Sequence, residues 1–404
     1  MNRQTFIIIY LGLLLGTGPA AIDSYAPLLS LIAADLDIAV ANAQLGLSTA
    51  LFAMGVGQIF IGPAADRWGR TKPVYAGLSL FVIGSALALM APSVELLLLG
   101  RFLQGLGAAT GQILVRAILR DLFTGQDLAH ATASVTAIMG VVVIMSPVTG
   151  YLLAHAFGWR AMFGALLLYG GVLLAATRWG YHETITFVND DALKPAAMLA
   201  AARRIVVHPQ SLRFLLVLLV GGFAMFSYVI SAPVVYATSF GVTGTKFALL
   251  YATMGGGALS GQILNRWMIR RIGTVPTMVL SLACAAAALF TGLVLQLLGV
   301  LNAYGFTAVL FLFAAGFLIA VSNATALVMD PHGNYAGFAA SLVGTLSFAI
   351  GSLTGTAIAQ FAAGDAAVVL ACMLASVLAC LGFAASWLWQ ARHRHAEEQL
   401  HYAK

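Results

Sequence analysis

The chain has 404 residues, of which 61% are hydrophobic and only 8% are charged. Soluble domains carry roughly 25% charged residues because water must wet their surface, so this composition excludes a soluble globular protein. The net charge of +6 does not indicate a nucleic-acid partner, because the basic residues are spread over short segments between apolar runs rather than gathered in one patch.

Apolar runs of about 20 residues recur along the whole chain. In a bilayer such runs must be helical, because a helix satisfies its own backbone hydrogen bonds. The sequence therefore predicts an all-α integral membrane protein. Twelve transmembrane helices are predicted at residues 6–31, 44–65, 73–91, 95–118, 130–155, 159–178, 212–238, 247–269, 275–297, 303–327, 335–361 and 366–390.

The first run is too long for a cleaved signal peptide and contains Asp23, Tyr25 and Pro27, so we predict a retained first helix. With the N-terminus in the cytoplasm, most Lys and Arg residues fall in cytoplasmic segments, whereas only Arg160 and Lys246 fall outside. This positive-inside distribution predicts that both termini are cytoplasmic.

The longest polar stretch divides the chain. It predicts a cytoplasmic linker at 180–211, in which 195–207 forms a surface helix, between a six-helix bundle at 1–179 and another at 212–390. A cytoplasmic tail is predicted at 391–404. The sequence Gly62-Pro-Ala-Ala-Asp66-Arg67-Trp68 has an echo in Gly261-Gln-Ile-Leu-Asn265-Arg266-Trp267, which supports two related halves. Many secondary transporters are built this way, with the substrate site between the halves.

Asp23 is the one acidic residue that cannot be placed in a loop or at a helix end. A charged carboxylate in the centre of a membrane helix costs roughly 2.5–3.5 kcal/mol, so such residues usually face a wet cavity and take part in function. A carboxyl group there can hold a proton that an approaching cation displaces, which is what a proton-coupled exchanger needs. The alternative is a structural Asp23 solvated near the outer surface.

Arg101 is the only basic residue deep in a predicted helix, and a buried guanidinium must find carboxylates or several acceptors. In the functional interpretation, Arg101 is a cavity charge that biases the protonation of Asp23 or keeps the cavity polar. In the alternative, it reaches towards the outer headgroups or pairs with Glu95.

The segment 62–73 packs one acid and three cations into a tight cytoplasmic turn. Asp121, just after the fourth helix, is a plausible partner for Arg67 or Arg70 in a charge latch that breaks and reforms during a conformational cycle. The alternative is that these charges only anchor the turn at the membrane surface.

Pro147 lies in the middle of the fifth predicted helix, between Ser146 and Gly150. A proline there frees a carbonyl and kinks the helix, which can serve as a gate, although ordinary kinked helices are common.

Other chemistry is not indicated. The eight histidines show no metal-ligand spacing, the three cysteines lie in apolar runs, and no glycine pattern fits a nucleotide site. We therefore predict no metal, no cofactor and no ATP-driven pump.

These motifs resemble the major facilitator superfamily, specifically its twelve-helix drug:proton antiporters of the bicyclomycin/chloramphenicol-resistance (Bcr/CflA) branch. The resemblance covers essentially the whole chain. The signature turn between helices two and three is matched by Gly62, Asp66, Arg67, Gly69 and Arg70. At the end of helix four, the branch pattern continues in Arg116, Arg120 and Asp121. The helix-four motif, whose arginine is linked to proton transfer, is matched by Arg101-Phe-Leu-Gln104-Gly105-Leu-Gly107. The branch element whose acid is implicated in coupling is matched by Asp23-Ser-Tyr25-Ala-Pro27.

Helix five resembles the antiporter motif around Pro147 and Gly150 but departs from it, with Ser146 and Thr149 where the family has glycine. Tyr228, Ser231 and Pro233 of helix seven, Asn323 of helix ten and Gly337-Phe-Ala-Ala-Ser341 at helix eleven also fit the branch.

The resemblance implies a monomeric transporter, and not an enzyme, in the bacterial inner membrane that exports small amphiphilic molecules in exchange for protons. Asp23 and Arg101 are the predicted proton-coupling residues. The predicted cavity contacts are Tyr25, Gln58, Gln104, Gln112, Tyr228, Tyr236 and Asn323. Proton-coupled uptake on the same fold stays open. A membrane-embedded enzyme acting on lipids would need several acids or a metal cluster at one membrane face, and the sequence offers one embedded acid.

Overall fold

The computed structural model describes residues 3–185 and 188–402. Within these residues, twelve helices are long and apolar enough to cross a membrane, and no strand is present. The predicted all-α fold with twelve spans is confirmed. We number the spans helix 1 to helix 12: Arg3–Asp35, Val40–Trp68, Thr71–Leu89, Val94–Leu122, Gly125–Phe157, Arg160–Gly180, Pro209–Phe240, Gly244–Ile272, Thr274–Leu297, Ala303–His332, Gly337–Ala362 and Ala366–Gln390.

Several helices are longer than their apolar runs. Helix 5 begins at Gly125 and not at residue 130, because the polar residues Gln126, Asp127 and His130 continue it beyond the apolar stretch. The last helix continues through the predicted tail to Tyr402, and residues 403 and 404 lie outside the described part of the chain. Hydropathy marks the membrane-embedded part of a helix rather than its ends.

Helix 1 is interrupted, contrary to the continuous helix predicted at 6–31. The α-helix ends at Asp23, a short 3₁₀ turn covers Ala26–Leu28, and a second α-helical segment runs from Leu29 to Asp35. Pro27 explains the break, because it has no N–H to donate to the Asp23 carbonyl four residues earlier. The interruption places the backbone of Asp23 at the end of a helix within the bundle.

Helix 11 is also irregular. Its α-helical parts, Ala336–Thr345 and Gly351–Ala362, are joined by a π-helical turn at Leu346–Ile350. Such turns are rare and occur often at functional sites.

The linker separates helix 6 from helix 7. It contains an α-helix at Pro195–Val207, the bounds predicted for the surface helix. The exposed Leu199 and Val207 lie on this helix beside Arg203, which gives it the amphipathic character of a segment at a membrane surface. It packs against the start of helix 7 and the first segment of helix 11.

We refer to the end of the bundle that carries the linker and the chain termini as the linker end, and to the opposite end as the distal end. Helices 1 to 6 pack mainly with one another, and helices 7 to 12 do the same. Close approach depends on glycine at several crossings. At Gly105 of helix 4, for example, an added Cβ would overlap the backbone oxygen of Ala50 in helix 2.

The two halves meet mainly along two helix pairs, helices 2 and 11 and helices 5 and 8. At the distal end, helix 2 also contacts helix 7, where Gln44 donates a hydrogen bond to the Ile230 carbonyl (2.5 Å). Near the same end, Thr356 of helix 11 donates to Ser48 of helix 2 (2.5 Å). Helices 2 and 11 stay in contact towards the linker end, where Gly62 lies against Ser341.

Helices 5 and 8 form the second pair. They touch at Gly244 beside Tyr151, and again at Gly140 beside Leu259. Between Gly140 and the linker end, a crevice of about 840 Å³ separates them, lined in part by His130, Arg266 and Arg270. The halves are therefore closed at the distal end and partly separated at the linker end.

Gly105→Ala should lower the thermal stability of the detergent-solubilised protein. The added methyl group meets rigid backbone on helix 2, and overpacking of this kind costs about 1–3 kcal/mol. Gly171→Ala in helix 6 is the matched control, since no atom lies within 4 Å of its added Cβ. Alanine is also the better helix former, so Gly171→Ala should keep or raise the melting temperature. Equal melting temperatures for the two variants would contradict this account of the helix crossing.

Candidate functional site

A cavity of about 310 Å³ lies between the two halves. Its described lining comes from helices 1, 2, 4 and 5 of the first half and from helices 7, 8, 10 and 11 of the second. Each of these helices supplies at least one residue, and the break in helix 1 and the π-helical turn of helix 11 both border the space. We refer to it as the central cavity.

The lining is mostly apolar. Methionine and phenylalanine supply most of its large side chains, and both present polarisable surfaces without hydrogen-bonding demands. Methionine is also flexible, so a methionine-rich wall can adapt to ligands of different shape. The residues concerned are Met54, Met139, Met225, Met254, Phe226, Phe317 and Phe348.

Asp23 is the only acidic side chain among the described residues that line the central cavity. It is half-buried at the end of the first segment of helix 1. The hydroxyl of Tyr251, on helix 8, donates a hydrogen bond to its carboxylate (3.4 Å). Tyr251 is itself buried and stacks on Tyr228, with ring centroids 5.8 Å apart. The carboxylate thus lies where the two halves meet.

Arg101 is fully buried but does not line this cavity. Its Nε donates to the Gly46 carbonyl on helix 2 (3.1 Å), and its Nη1 donates to the Ala21 carbonyl on helix 1 (3.0 Å). The guanidinium also lies 4.5 Å from the centroid of the Tyr25 ring, within reach of a cation–π interaction. Nη1 further donates to Gln104, whose amide donates to Ser85 (2.8 Å).

These contacts correct the expected positions of Arg101, and its role in proton coupling stays a prediction. The side chain reaches neither headgroups nor Glu95, and among the described ion pairs none joins it to Asp23. Its acceptor on helix 1 is a carbonyl that the break has left free, because the Tyr25 N–H bonds to Ile22 instead of Ala21. Arg101 is therefore attached to the backbone two residues before Asp23, and not to its carboxylate.

Of the predicted cavity contacts, Gln112 lines the central cavity. The other six predicted residues do not line the cavity. Their side chains are instead packed between helices, where most of their polar groups have hydrogen-bond partners. Tyr25 donates to the Ala43 carbonyl, Gln104 bonds to Arg101 and Ser85, Tyr236 to Thr307, and Asn323 to Asn265; Tyr228 stacks on Tyr251, and Gln58 lies against Gly344 of helix 11.

The expected charge latch is present at the linker end. Arg70 donates to Asp66 (2.7 Å) and to Asp121 (3.0 Å), and so ties the turn between helices 2 and 3 to the end of helix 4. Arg67 instead lies over the ring of Trp68. Arg120 lines the pocket beside the latch, together with Gly62 and Gly337. The latch therefore borders helix 11 of the other half.

Helix 5 passes through Pro147 as one α-helix from Gly125 to Phe157. Ser146 donates to the Val142 carbonyl (2.6 Å), and a Cβ on Gly150 would lie 2.5 Å from the carbonyl oxygen of Ser24. The predicted gate segment thus packs directly against the break in helix 1, beside Asp23.

Two kinds of residue were missed by sequence reasoning. Tyr251 could have been noticed as a polar aromatic residue in an apolar helix, but nothing in the sequence assigns it to Asp23. The cavity methionines carry no signal at all, because methionine is equally common in helix cores.

Residues 11–356 match the family model of the Major Facilitator Superfamily. The bicyclomycin resistance protein homolog of Haemophilus influenzae is 28% identical, with 94% of this chain and 97% of that protein covered. Multidrug resistance protein D of Escherichia coli is 29% identical, with coverage of 85% and 86%. The structure of the E. coli xylose transporter XylE aligns with a TM-score of 0.67 and 13% identity, over 93% of this chain and 96% of that one. The chain is a multi-pass membrane protein that belongs to the Major Facilitator Superfamily.

Proposed function

We propose that the protein exports small amphiphilic molecules across the bacterial inner membrane in exchange for protons, by alternating access to the central cavity. The observation that carries the proposal is Asp23, the one carboxylate among the described lining residues of a mostly apolar cavity between the halves. A carboxyl group in such a place binds a proton or the cationic part of a cargo, and binding one disfavours the other. That competition is the basis of exchange.

Alternating access requires the halves to open at one end at a time. The separation of helices 5 and 8 at the linker end, with the distal end closed, is the kind of asymmetry that such a cycle needs. We place the linker end in the cytoplasm because the basic residues concentrate there. Both termini are then cytoplasmic, and the protein acts as a monomer.

Export is favoured over uptake by the names of two relatives, which describe resistance to bicyclomycin and to multiple drugs. The enzyme alternative is not favoured, because the superfamily to which the chain belongs consists of transporters and the named relatives are resistance proteins.

Asp23→Asn should abolish proton-driven transport. Asparagine has nearly the same shape but does not bind and release a proton as a carboxyl group does, so we expect at least about a tenfold loss of initial rate. The measurement uses everted membrane vesicles energised to an acidic interior, with ethidium as the transported probe. Asp37→Asn is the matched control, because Asp37 is exposed at the distal end and has a φ of 51° that asparagine tolerates. Proton-driven ethidium transport at the wild-type rate in Asp23→Asn would refute the role of Asp23.

Competition between ligands should reflect the charge of the cavity. A lipophilic cation can place apolar groups against the methionine and phenylalanine side chains and its charge near Asp23, whereas a polyanion finds no described basic side chain in the lining. Tetraphenylphosphonium should therefore inhibit ethidium transport at concentrations at least about 100-fold below those of the polyanionic dye pyranine. Equal potency of the two compounds would count against this cavity as the cargo site.

We further propose that Arg101 acts on Asp23 through the helix 1 backbone. Arg101→Lys keeps the charge but replaces the planar fork by a single ammonium group, so the Ala21 and Gly46 carbonyls cannot both be satisfied in the same geometry. An unsatisfied buried carbonyl costs about 1–3 kcal/mol, so the melting temperature and the transport rate should both fall. Arg178→Lys at the exposed end of helix 6 should change neither. A fully stable Arg101→Lys variant would show that the two hydrogen bonds from the planar guanidinium are not needed.

A further inference from the structure

The first residues of the linker return to the turn between helices 2 and 3. The Glu183 carboxylate accepts hydrogen bonds from the backbone N–H of Arg70 (2.8 Å) and of Thr71 (3.0 Å). It also accepts from the N–H groups of Thr184 (2.9 Å) and Ile185 (3.1 Å) in its own segment. One carboxylate therefore joins two stretches of chain that are more than 100 residues apart in sequence.

A carboxylate is well suited to this position. Helix 3 begins at Thr71, and its N-cap residue, Arg70, makes no side-chain cap of its own. Free N–H groups and the positive end of the helix dipole both favour an anion there. Partial burial tends to raise the pKa of Glu183, but the four backbone N–H donors outweigh it and hold the pKa below the usual value. The side chain is therefore anionic at neutral pH.

Two further contacts connect the same linker segment to the charge latch. The hydroxyl of Thr184 donates to Asp121 (3.1 Å), at the same carboxylate oxygen that accepts from Arg70. The N–H of Asn189 donates to the Asp66 carbonyl (2.9 Å). Both acids of the latch are thus contacted by the linker.

Gly69 of the signature turn leaves room for the Glu183 carboxylate. Its φ of +85° suits glycine, and an added Cβ would overlap the Glu183 carboxylate. The turn therefore needs glycine both for its backbone conformation and for the space that Glu183 occupies.

The other end of the linker contacts the second half. The surface helix Pro195–Val207 packs against the first segment of helix 11, and Gly337 and Ala340 of that segment border the pocket beside the latch. One turn along helix 2 from Asp66, Gly62 lies against Ser341 of helix 11. The linker therefore contacts the latch at one end and helix 11 of the second half at the other.

We propose that Glu183 is a positioning residue for the charge latch, and that it favours the arrangement in which helices 2 and 11 are in contact at the linker end. It fixes the start of helix 3, which holds Arg70 between Asp66 and Asp121 and keeps the end of helix 2 against helix 11. Since Glu183 is remote from the central cavity, it affects the rate of interconversion and the populations of the states rather than the binding of cargo. Its effect on turnover rests on the proposed transport function, whereas its effect on conformation does not.

The conformational test needs no cargo. Spin labels at positions 126 and 272, both exposed at the linker end on helices 5 and 8, report the separation of the halves in nanodiscs by pulsed electron paramagnetic resonance. The halves of such transporters rock largely as rigid bodies, so loss of the contact between helices 2 and 11 should lengthen this distance further. The labels are introduced into a variant in which Cys284, Cys372 and Cys380 are replaced by alanine. Glu183→Gln keeps the size of the side chain but loses the charge and one acceptor. It should increase the ratio of long to short distances by roughly threefold to tenfold.

Asp191→Asn is the matched control. Asp191 lies in the same linker but pairs only with the exposed Lys194, so its distance distribution should equal that of the wild type. An unchanged distribution in Glu183→Gln, or an equal shift in Asp191→Asn, overturns the proposal. If Glu183→Gln does not accumulate in the membrane, Glu183→Asp takes its place. The shorter side chain cannot span the same amides, so a smaller shift in the same direction supports the proposal, and a wild-type distribution overturns it.

Transport supplies the second measurement. With ethidium as the probe, Glu183→Gln should lower the maximal rate by about threefold to tenfold and leave KM within about twofold, because the cavity residues are untouched. A raised KM with an unchanged maximal rate contradicts a positioning role. If ethidium is not transported even by the wild type, the proposed function fails, while the spin-label result still decides the role of Glu183.

Discussion

The break in helix 1 is the constraint on which the rest of the site depends. Within a bilayer every backbone polar group needs a partner, and Pro27 removes the donor for the Asp23 carbonyl while the local turn leaves the Ala21 carbonyl free. Arg101 donates one hydrogen bond to the free Ala21 carbonyl and another to the Gly46 carbonyl, so a single guanidinium joins the broken helix 1 to helix 2. The local structure therefore depends on Pro27 of helix 1 and on Arg101 of helix 4. Asp23 lies at the end of the helical segment that Arg101 holds, and it lines the central cavity.

This arrangement separates the tasks of the two halves. The first half contains the acid, the arginine that holds its helix and the charge latch, whereas the second half contributes most of the aromatic wall of the cavity, through Phe226, Phe317 and Phe348. Tyr251 differs from these phenylalanines because its hydroxyl donates a hydrogen bond to Asp23 across the interface between the halves. Separation of the halves would break this hydrogen bond. In the proposed cycle, this hydrogen bond across the interface is what would couple the protonation of Asp23 to the closure of the cavity.

Sequence reasoning succeeded where a single strong physical term decides the outcome. Bilayer thickness and the need to satisfy backbone hydrogen bonds determine the twelve helices. Few acidic residues lie near the charged turn, so Asp121 could be named as a partner of Arg70. It was less successful where several weak terms compete. Tyr25, Gln104 and Asn323 were expected in the cavity because they are polar, yet each is satisfied by a neighbouring helix, which is the cheaper solution in a dry interior. The pairing of Arg101 with backbone carbonyls could not be predicted, since it depends on a break whose exact position the sequence pattern did not reveal.

The composition of the cavity sets the kind of selectivity that this protein can have. A site that recognises cargo by hydrogen bonds rejects analogues strongly, because a missing partner leaves buried polar groups unpaired. The central cavity has few such groups, namely Asp23, Gln112, Tyr251 and Ser347, among walls of methionine and phenylalanine. Discrimination among uncharged parts of a ligand must then come from shape alone, and flexible methionine side chains relax that criterion. Charge is the one ligand property that such a site distinguishes strongly, through Asp23. In the proposed function, a cavity of this composition accepts structurally varied molecules, and the gradients of proton and cargo set the direction in which they move.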